Sequence, residues 1–138
     1  MVTPKGRPFV FAALVVLFIL GAAPLAKTQV EMTVDPYAIF TSPGRGVNFT
    51  LAIINHDRVS YNCHLAIELW TPTGHVIHYP GKYFMLQPDQ TIMREVTRTV
   101  PVNAPMGEYV LWFNLYDRDT GRLLATTHCH IFVGWSSL

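Results

Sequence analysis

A long hairpin is the strongest structural signal in the chain, and it occupies residues 107–133, GEYVLWFNLYDRDTGRLLATTHCHIFV. Along residues 109–116, every second residue is large and apolar: Tyr109, Leu111, Phe113 and Leu115. The residues between them would point to the opposite face, and this period of two predicts a β-strand. The following residues, DRDTG at 117–121, form a turn in which Gly121 supplies the positive φ that such loops need. An isolated hairpin is only marginally stable in water. The preceding residues must therefore supply a second layer.

The first 26 residues differ in composition from the rest of the chain. Lys5 and Arg7 lie before a run of apolar or small residues at positions 9–23, and no acidic residue interrupts this segment. A basic start, an apolar run and a small-residue exit are typical of a secretory signal peptide. We expect cleavage after Ala26 and an exported protein that is periplasmic or secreted.

An uncleaved N-terminal anchor is the alternative interpretation of the same segment. Residues 9–26 form a hydrophobic helix about as long as the shortest helices that span a bilayer, ~17 residues. The basic residues before it would hold the N-terminus in the cytoplasm, so the rest of the chain would face outward from the membrane. Both interpretations divide the chain into an N-terminal segment, 1–26, and one exported domain, 27–138.

Charge argues against several classes of partner. The whole chain has 10 basic and 9 acidic residues, and two of the basic ones lie in the N-terminal segment. The exported part is thus almost neutral, without the basic patch of a nucleic-acid-binding protein or the charge block of a disordered tail. We expect no nucleic-acid partner, and contact with a membrane only through residues 1–26 if they are not cleaved.

Further strands with regular turns precede the hairpin. Alternation predicts strands at residues 30–34, 46–55, 61–70, 75–79, 91–100, 107–116 and 122–133, with a short edge piece at 37–40 and an extended piece at 83–86. Helical periodicity is found only in the N-terminal segment. About seven strands separated by turns every 8 to 12 residues are typical of an antiparallel β-sandwich of two sheets. The fold class is therefore predicted to be all-β.

Three short motifs stand out, at residues 99–109, TVPVNAPMGEY, at the strand end 51–55, LAIIN, and at residues 86–91, LQPDQT. They resemble motifs of bacterial secreted immunoglobulin-like sandwich domains, the NEW3-type and CARDB-type modules that accompany cell-surface enzymes and adhesins. Residues 99–109 look like their "vP…aP.G.Y" motif, and residues 51–55 resemble their "l.v.N" strand end. Residues 86–91, LQPDQT, resemble their "L.pGet" turn, except that Asp89 stands where glycine is usual. The resemblance covers residues 30–133 and implies an immunoglobulin-like fold. It implies no catalytic residues, because these modules share none.

The two cysteines allow two interpretations. An oxidising compartment favours a disulfide between Cys63 and Cys129. Cys63 shares a face with Leu65 and is expected in the core. If Asp117 pairs with Arg122 across the hairpin, Val110 lies opposite Cys129, which then points away from the core and out of disulfide reach. A bulge in the last strand would reverse this geometry, so the disulfide and two buried free thiols both stay open.

Histidines provide the candidate metal ligands. His128 and His130 flank Cys129, and His64 follows Cys63, which offers the soft and borderline ligands that copper and zinc take. On a strand, however, His128 and His130 share one face while Cys129 points to the other, so the triplet cannot chelate as a unit. We expect no resident metal or other cofactor. A periplasmic copper- or zinc-binding protein is the alternative function.

Enzyme chemistry has little support in the sequence. It contains no Gly-x-Ser-x-Gly, no His-Glu-x-x-His and no glycine-rich phosphate loop. Its serines lie in predicted turns or at the terminus, and its acidic residues are scattered. We expect no catalytic residues.

An aromatic face supplies the functional prediction. Trp112, Asn114 and Tyr116 alternate with the core residues of the best strand and should form an outer patch of large apolar area with polar tips. This patch either binds a partner or is covered by the N-terminal strand. We expect an exported, non-catalytic structural or interaction module whose partner is a protein or polysaccharide of the cell surface or envelope. A subunit of a surface fibre or envelope complex is a further alternative.

Overall fold

Eight β-strands form the part of the chain that the structure, a computed structural model, describes, residues 29–134. They are β1 (Val30–Asp35), β2 (Ala38–Thr41), β3 (Gly46–Asn55), β4 (Tyr61–Trp70), β5 (Val76–Leu86), β6 (Thr91–Thr99), β7 (Gly107–Asp117) and β8 (Leu123–Val133). No helix able to cross a bilayer occurs among these residues. The predicted signal peptide or anchor at 1–26 lies outside the described residues.

The strands form two sheets, which confirms the predicted all-β sandwich. The smaller sheet has the order β1-β3-β6 and the larger sheet the order β2-β8-β7-β4-β5. Neighbours are antiparallel except for β2, which runs parallel to β8. Strand β1 thus belongs to the smaller sheet and β2 to the larger one. The chain passes from one sheet to the other at the cis bond between Asp35 and Pro36. This is an immunoglobulin-like arrangement.

The core lies between the two inner faces, as the alternation of apolar residues predicts. Phe49 of β3 meets Phe113 of β7 edge to face, with ring centroids 6.0 Å apart. Leu86 and Leu115 are completely buried, and Leu65 is almost so. Burial of one such side chain contributes about 1.5–3 kcal/mol, so these contacts are the main force that holds the sheets together.

Strand β5 differs from the prediction because it is continuous. The sequence predicted two pieces, 75–79 and 83–86, separated by Pro80 and Gly81. Both residues instead lie in an irregularity of the β4–β5 pairing, where the register shifts between Leu65 and Ile67. An edge strand tolerates proline, whose missing N–H is needed only by a neighbouring strand. A Cβ at Gly81 would lie 2.4 Å from Nε2 of His64, so glycine leaves room for that ring.

The final hairpin contains the bulge that the sequence left open. The backbone N–H of Asp117 donates to the carbonyl of Arg122, as expected, at 2.8 Å. One residue later the register shifts, because Leu115 pairs with Ala125 while Tyr116 pairs with Leu123. Leu124 is the extra residue, and Cys129 therefore pairs with Leu111 instead of Val110. The placement of Cys129 on the outer face is thus wrong: it points into the core.

Two of the motif residues hold the loops in place. The Asn55 side chain is fully buried, and its Nδ2 donates to the carbonyls of Val59 and Gln87, both at 2.9 Å. Its Oδ1 accepts from the backbone N–H of Asp57, so one amide joins the β3–β4 and β5–β6 turns. The hydroxyl of Tyr109 donates to the carbonyl of Pro105 at 2.6 Å, which is the tyrosine corner of immunoglobulin-like sandwiches.

Candidate interaction face

The outer face of the larger sheet collects aromatic and histidine side chains from five strands. They alternate along each strand with residues that point into the core, and the strand order makes them neighbours. We call this set the outer aromatic face: Phe40, His64, Trp70, Tyr83, Trp112, Tyr116, His128, His130 and Phe132. No element among residues 29–134 lies over it, because β1 and β2 occupy sheet edges.

A continuous row of rings crosses this face from β2 to β4. In order, the rings belong to Phe40, Phe132, His130, His128, Trp112 and Trp70, with successive centroid distances of 4.9, 6.2, 4.8, 4.5 and 6.0 Å. The first three are stacked within 15° of parallel. Beyond His130 the packing changes, because the His128 ring is nearly perpendicular to it, at 83°, and the rings of Trp112 and Trp70 are tilted by 48°. Its two ends, Phe40 and Trp70, are 79% and 48% exposed.

A second cluster lies at the other end of the same face. The ring of His64 stacks on Tyr83 at 4.6 Å and within 11° of parallel, and it lies 6.4 Å from the ring of Tyr116. The guanidinium carbon of Arg118 is 4.5 Å from the centre of the Tyr83 ring, a cation–π contact. Tyr83 is exposed, but these neighbours hold its ring in one orientation.

Most polar groups of the face have partners within it. Glu68 accepts a hydrogen bond from Nε1 of Trp70 at 3.1 Å, and its other oxygen is 3.4 Å from Nδ1 of His78. Glu108 Oε2 lies 2.6 Å from Nδ1 of His130. Nε1 of Trp112 is the exception: it is enclosed and has no partner among the described residues. Unsatisfied buried N–H groups are rare, so this one marks an unusual position on the face.

The three residues of the predicted interaction patch all lie on the outer side of the larger sheet. Trp112, Asn114 and Tyr116 point outward and are half-buried by their neighbours. Asn114 Oδ1 accepts from the Thr126 hydroxyl at 2.7 Å, and Trp112 packs on His128. Their role in binding stays a prediction.

Sequence reasoning missed the contribution of the other strands to the face. Alternation along β4 places His64 and Trp70 on the outer side, and this signal was present in the sequence. Alternation does not show which strands are neighbours, however. Only the order β2-β8-β7-β4-β5 brings Phe40 and Trp70 into one row with Trp112.

The candidate metal ligands are only partly brought together. The rings of His128 and His130 are 4.8 Å apart, while His64 pairs with Tyr116, four positions along β7 from the Trp112 partner of His128. Four positions on a strand correspond to roughly 13 Å. Within residues 29–134 no group of three or more His, Cys, Asp or Glu side chains is placed to hold a metal ion. The described residues thus offer a histidine pair without a third ligand.

Both cysteines are fully buried free thiols in the core. Cys63 pairs with Asp117 and Cys129 with Leu111, which are six positions apart on β7. This separation is roughly 20 Å along the sheet, whereas a disulfide needs Cα atoms within about 7 Å. A Cys63–Cys129 disulfide does not fit this fold. Burial raises the pKa of each thiol to about 11, and the charge of Asp117 adds to the effect at Cys63.

Comparison with known proteins identifies the fold and no family. No protein-family model and no curated protein matches the chain. Among solved structures, the sporulation control protein of Bacillus subtilis has a TM-score of 0.51 and 19% identity, over 79% of this chain and 50% of that one. A CARDB domain from Pyrococcus furiosus, solved in complex with di-metal ions, has a TM-score of 0.51 and 11% identity, over 78% of this chain and 94% of that one.

Larger enzymes contain similar sandwiches as a minor part. A Bacteroides uniformis β-glucuronidase has a TM-score of 0.54 and 14% identity, over 78% of this chain and 13% of that one. This chain spans half or less of the first solved structures that it matches. At these identities the likeness shows an immunoglobulin-like β-sandwich, close in architecture to a CARDB domain, and it shows the fold alone.

Proposed function

We propose that this protein is an exported, non-catalytic interaction module that binds a protein of the cell envelope or surface through its outer aromatic face. The observation that carries the proposal is the row of six rings from Phe40 to Trp70. Aromatic residues are enriched at protein interfaces, and large apolar patches on a protein surface mark interaction sites.

The known structures support a role as a module. The likeness to the CARDB domain covers 94% of that domain's chain, and in the β-glucuronidase a similar sandwich accounts for 13% of the enzyme's chain. Such a sandwich thus occurs both as a separate domain and as a small part of an enzyme. The acidic groups of the outer aromatic face are engaged by Trp70 and by histidines.

The orientation of the rings favours a protein partner over a polysaccharide. Sugars stack on open ring faces, whereas the ring of Phe132 is already stacked on those of Phe40 and His130. Tyr83 is contacted by both His64 and Arg118. Aromatic side chains with polar groups between them suit the mixed side chains of a protein surface.

Site-specific photo-cross-linking in cells of the source organism tests this proposal. We expect a photoreactive amino acid at Phe40 to give one discrete adduct whose mass indicates a protein partner. The same group at Thr33, exposed on the outer side of the smaller sheet, is the control and should give none. Trp70→Ala should abolish the Phe40 adduct. Equal adducts from both positions, or binding to polysaccharide alone, would contradict the proposal.

Export is tested separately by N-terminal sequencing and cell fractionation. We expect mature protein that begins at Lys27, because a basic start, an apolar run and a small-residue exit precede it. Recovery of intact Met1 in the membrane fraction would indicate the anchored form, whose domain still faces outward. Recovery of the intact chain in the cytosol would contradict export.

A further inference from the structure

The sandwich is open on the side where β5 and β6 lie. Three strands face five, and the two sheets are aligned at the opposite side, where β1 packs beside β8. Phe49 of β3 contacts Phe113 of β7. The same alignment would place β6 opposite β4, so that none of the strands in residues 29–134 faces β5.

Apolar side chains on the core-facing side of β5 are consequently uncovered. Ile77 pairs with Leu69 and Tyr79 with Ile67, so both point to the same side as the core. They are nevertheless 43% and 44% exposed. Leu86, on the same side at the end of β5 near β6, is completely buried. The floor of the opening is therefore apolar surface that a fourth strand of the smaller sheet would cover.

The edge of β6 borders the same opening. Strand β6 pairs with β3 on one side, and its other edge has no strand neighbour among residues 29–134. Val96 pairs with Phe49, which places it level with the middle of the opening. Arg94 and Arg98 lie two positions to either side of Val96 and share its core-facing side.

Three cations surround this opening without an acidic partner. They are Arg94, Arg98 and Lys82, whose pairing with Leu65 turns it to the core-facing side of β5. Every ion pair among the described residues instead involves a histidine. The two guanidinium groups donate only to carbonyls of their own strand, Arg94 to Met93 at 3.1 Å and Arg98 to Thr97 at 2.8 Å.

We propose that this cleft binds an extended acidic segment of a partner protein, which pairs with the free edge of β6 as a fourth strand of the smaller sheet. Strand addition of this kind takes its affinity from main-chain hydrogen bonds and its specificity from alternate side chains. The register defines the ligand: acidic residues opposite Arg94 and Arg98, and an apolar residue opposite Val96, above the uncovered Tyr79. The cleft lies on the other side of the larger sheet from the outer aromatic face, so the two proposals are independent.

Inward-pointing charges on an edge strand also discourage edge-to-edge aggregation. That role alone predicts that the cleft has no preference for an acidic strand. Lys82 lies on β5, which is itself an edge strand of the larger sheet, so the three charges alone fit either role. Ile77 and Tyr79, however, form an exposed apolar floor beneath the edge of β6, and this floor suits a binding cleft and is not needed to protect an edge.

Fluorescence anisotropy with a synthetic peptide tests the proposal on the full-length chain. The probe is fluorescein-labelled Thr-Val-Thr-Glu-Thr-Val-Thr-Glu-Thr, which places valine and glutamate alternately on one face. We expect it to bind, and Arg94→Ala with Arg98→Ala to weaken binding by about tenfold, as two partly exposed charge pairs would. The matched control, Arg58→Ala with Arg118→Ala, removes two exposed arginines away from β6, of which Arg118 contacts Tyr83 on the other side of the larger sheet, and should leave binding unchanged.

Two control peptides separate strand pairing from simple charge attraction. Lysine in place of glutamate should abolish binding, and N-methylation of alternate backbone nitrogens should do the same. A protein with Arg94→Glu and Arg98→Glu should prefer the lysine peptide, provided that its thermal melting matches that of the wild type. The proposal is overturned if no peptide binds at millimolar concentration, if the lysine peptide binds equally well, or if the N-methylated peptide retains full affinity.

Discussion

Asp89 is the residue whose backbone departs furthest from what its side chain favours. Its φ is +59°, and it is the only non-glycine residue with positive φ among residues 29–134. It follows Pro88 in a four-residue turn closed by the Gln90 N–H, which donates to the Gln87 carbonyl at 3.2 Å. Proline followed by a residue with positive φ is the pattern of a type II turn. Glycine is the residue that this position of a type II turn favours, because it adopts positive φ without strain.

Substitutions of Asp89 should separate backbone strain from side-chain contacts. We expect Asp89→Val to lower the free energy of unfolding by about 1–2 kcal/mol, because a branched side chain disfavours the left-handed conformation. Asp89→Gly should cost less than about 0.5 kcal/mol, since glycine adopts this φ freely. Urea denaturation measures both changes, and Asp119→Val in another exposed turn is the control. Equal losses for valine and glycine would contradict this account.

A carboxyl group in the β3–β4 turn should make stability depend on pH. The Tyr61 hydroxyl donates to Asp57 Oδ2 at 2.6 Å, and this bond, followed by the backbone N–H of Arg58, lowers the pKa of Asp57 below its ordinary 3.8. A carboxyl with a lowered pKa in the folded state stabilises the protein above pH ~4, and that stabilisation is lost as the pH falls further.

Removing this hydroxyl should reduce the acid sensitivity. We expect Tyr61→Phe to be less stable than the wild type at pH 7, with a difference that shrinks between pH 4 and pH 2, because the Asp57 carboxylate no longer has its strongest partner. Urea denaturation of both proteins across this range measures the effect, and Tyr37→Phe, at an exposed tyrosine, is the control. A difference that stays constant with pH would show that Tyr61 acts through packing alone.

At the scale of the elements, the tyrosine corner is a local device at the start of β7. The Tyr109 ring is buried, and its hydroxyl closes the loop before β7 by donating to the Pro105 carbonyl. Tyr109→Phe keeps the ring and removes one hydrogen bond, so it should cost about 0.5–1.5 kcal/mol. Tyr109→Ala also creates a cavity and should cost about 3–5 kcal/mol. Thermal unfolding of both variants tests this order, and equal losses would show that the hydroxyl contributes nothing.

Alternation predicted most of the strands, because it depends only on residues that are close in the sequence. The bounds of β3 and β4 agree with the prediction, since each is a ten-residue strand with one buried face. The split predicted in β5 failed because an edge strand can continue through Pro80, which a central strand could not. The bulge at Leu124 was not predictable from alternation, because the residue is as apolar as its neighbours. The outer aromatic face depends on which strands are neighbours in the sheet, and a single sequence does not show this order.

At the scale of the whole molecule, the larger sheet keeps the two cysteines apart, because β7 lies between β4, which carries Cys63, and β8, which carries Cys129. Cys63 and Cys129 lie at opposite ends of the core with pKa values of about 11, so about one thiol in a thousand is ionised at pH 8. We expect both to be unreactive towards Ellman's reagent in the native protein and both to react in urea, even after export to an oxidising compartment. Cys129→Ala should halve the count in urea. A native mass two daltons low, with no thiol released in urea, would contradict the fold.

The parallel pairing of β2 with β8 has a mechanical consequence. Strands β1 and β2 both run alongside β8 near the beginning of the domain, and β8 ends it, so residues 29 and 134 lie towards opposite ends of the sandwich. A force that pulls these ends apart acts along the β2–β8 ladder. It loads the four rungs from Ala38–His130 to Thr41–Val133 simultaneously, instead of opening them one by one. A sandwich pulled in this direction should resist tension better than one pulled through the β4–β5 hairpin, whose hydrogen bonds would break one after another.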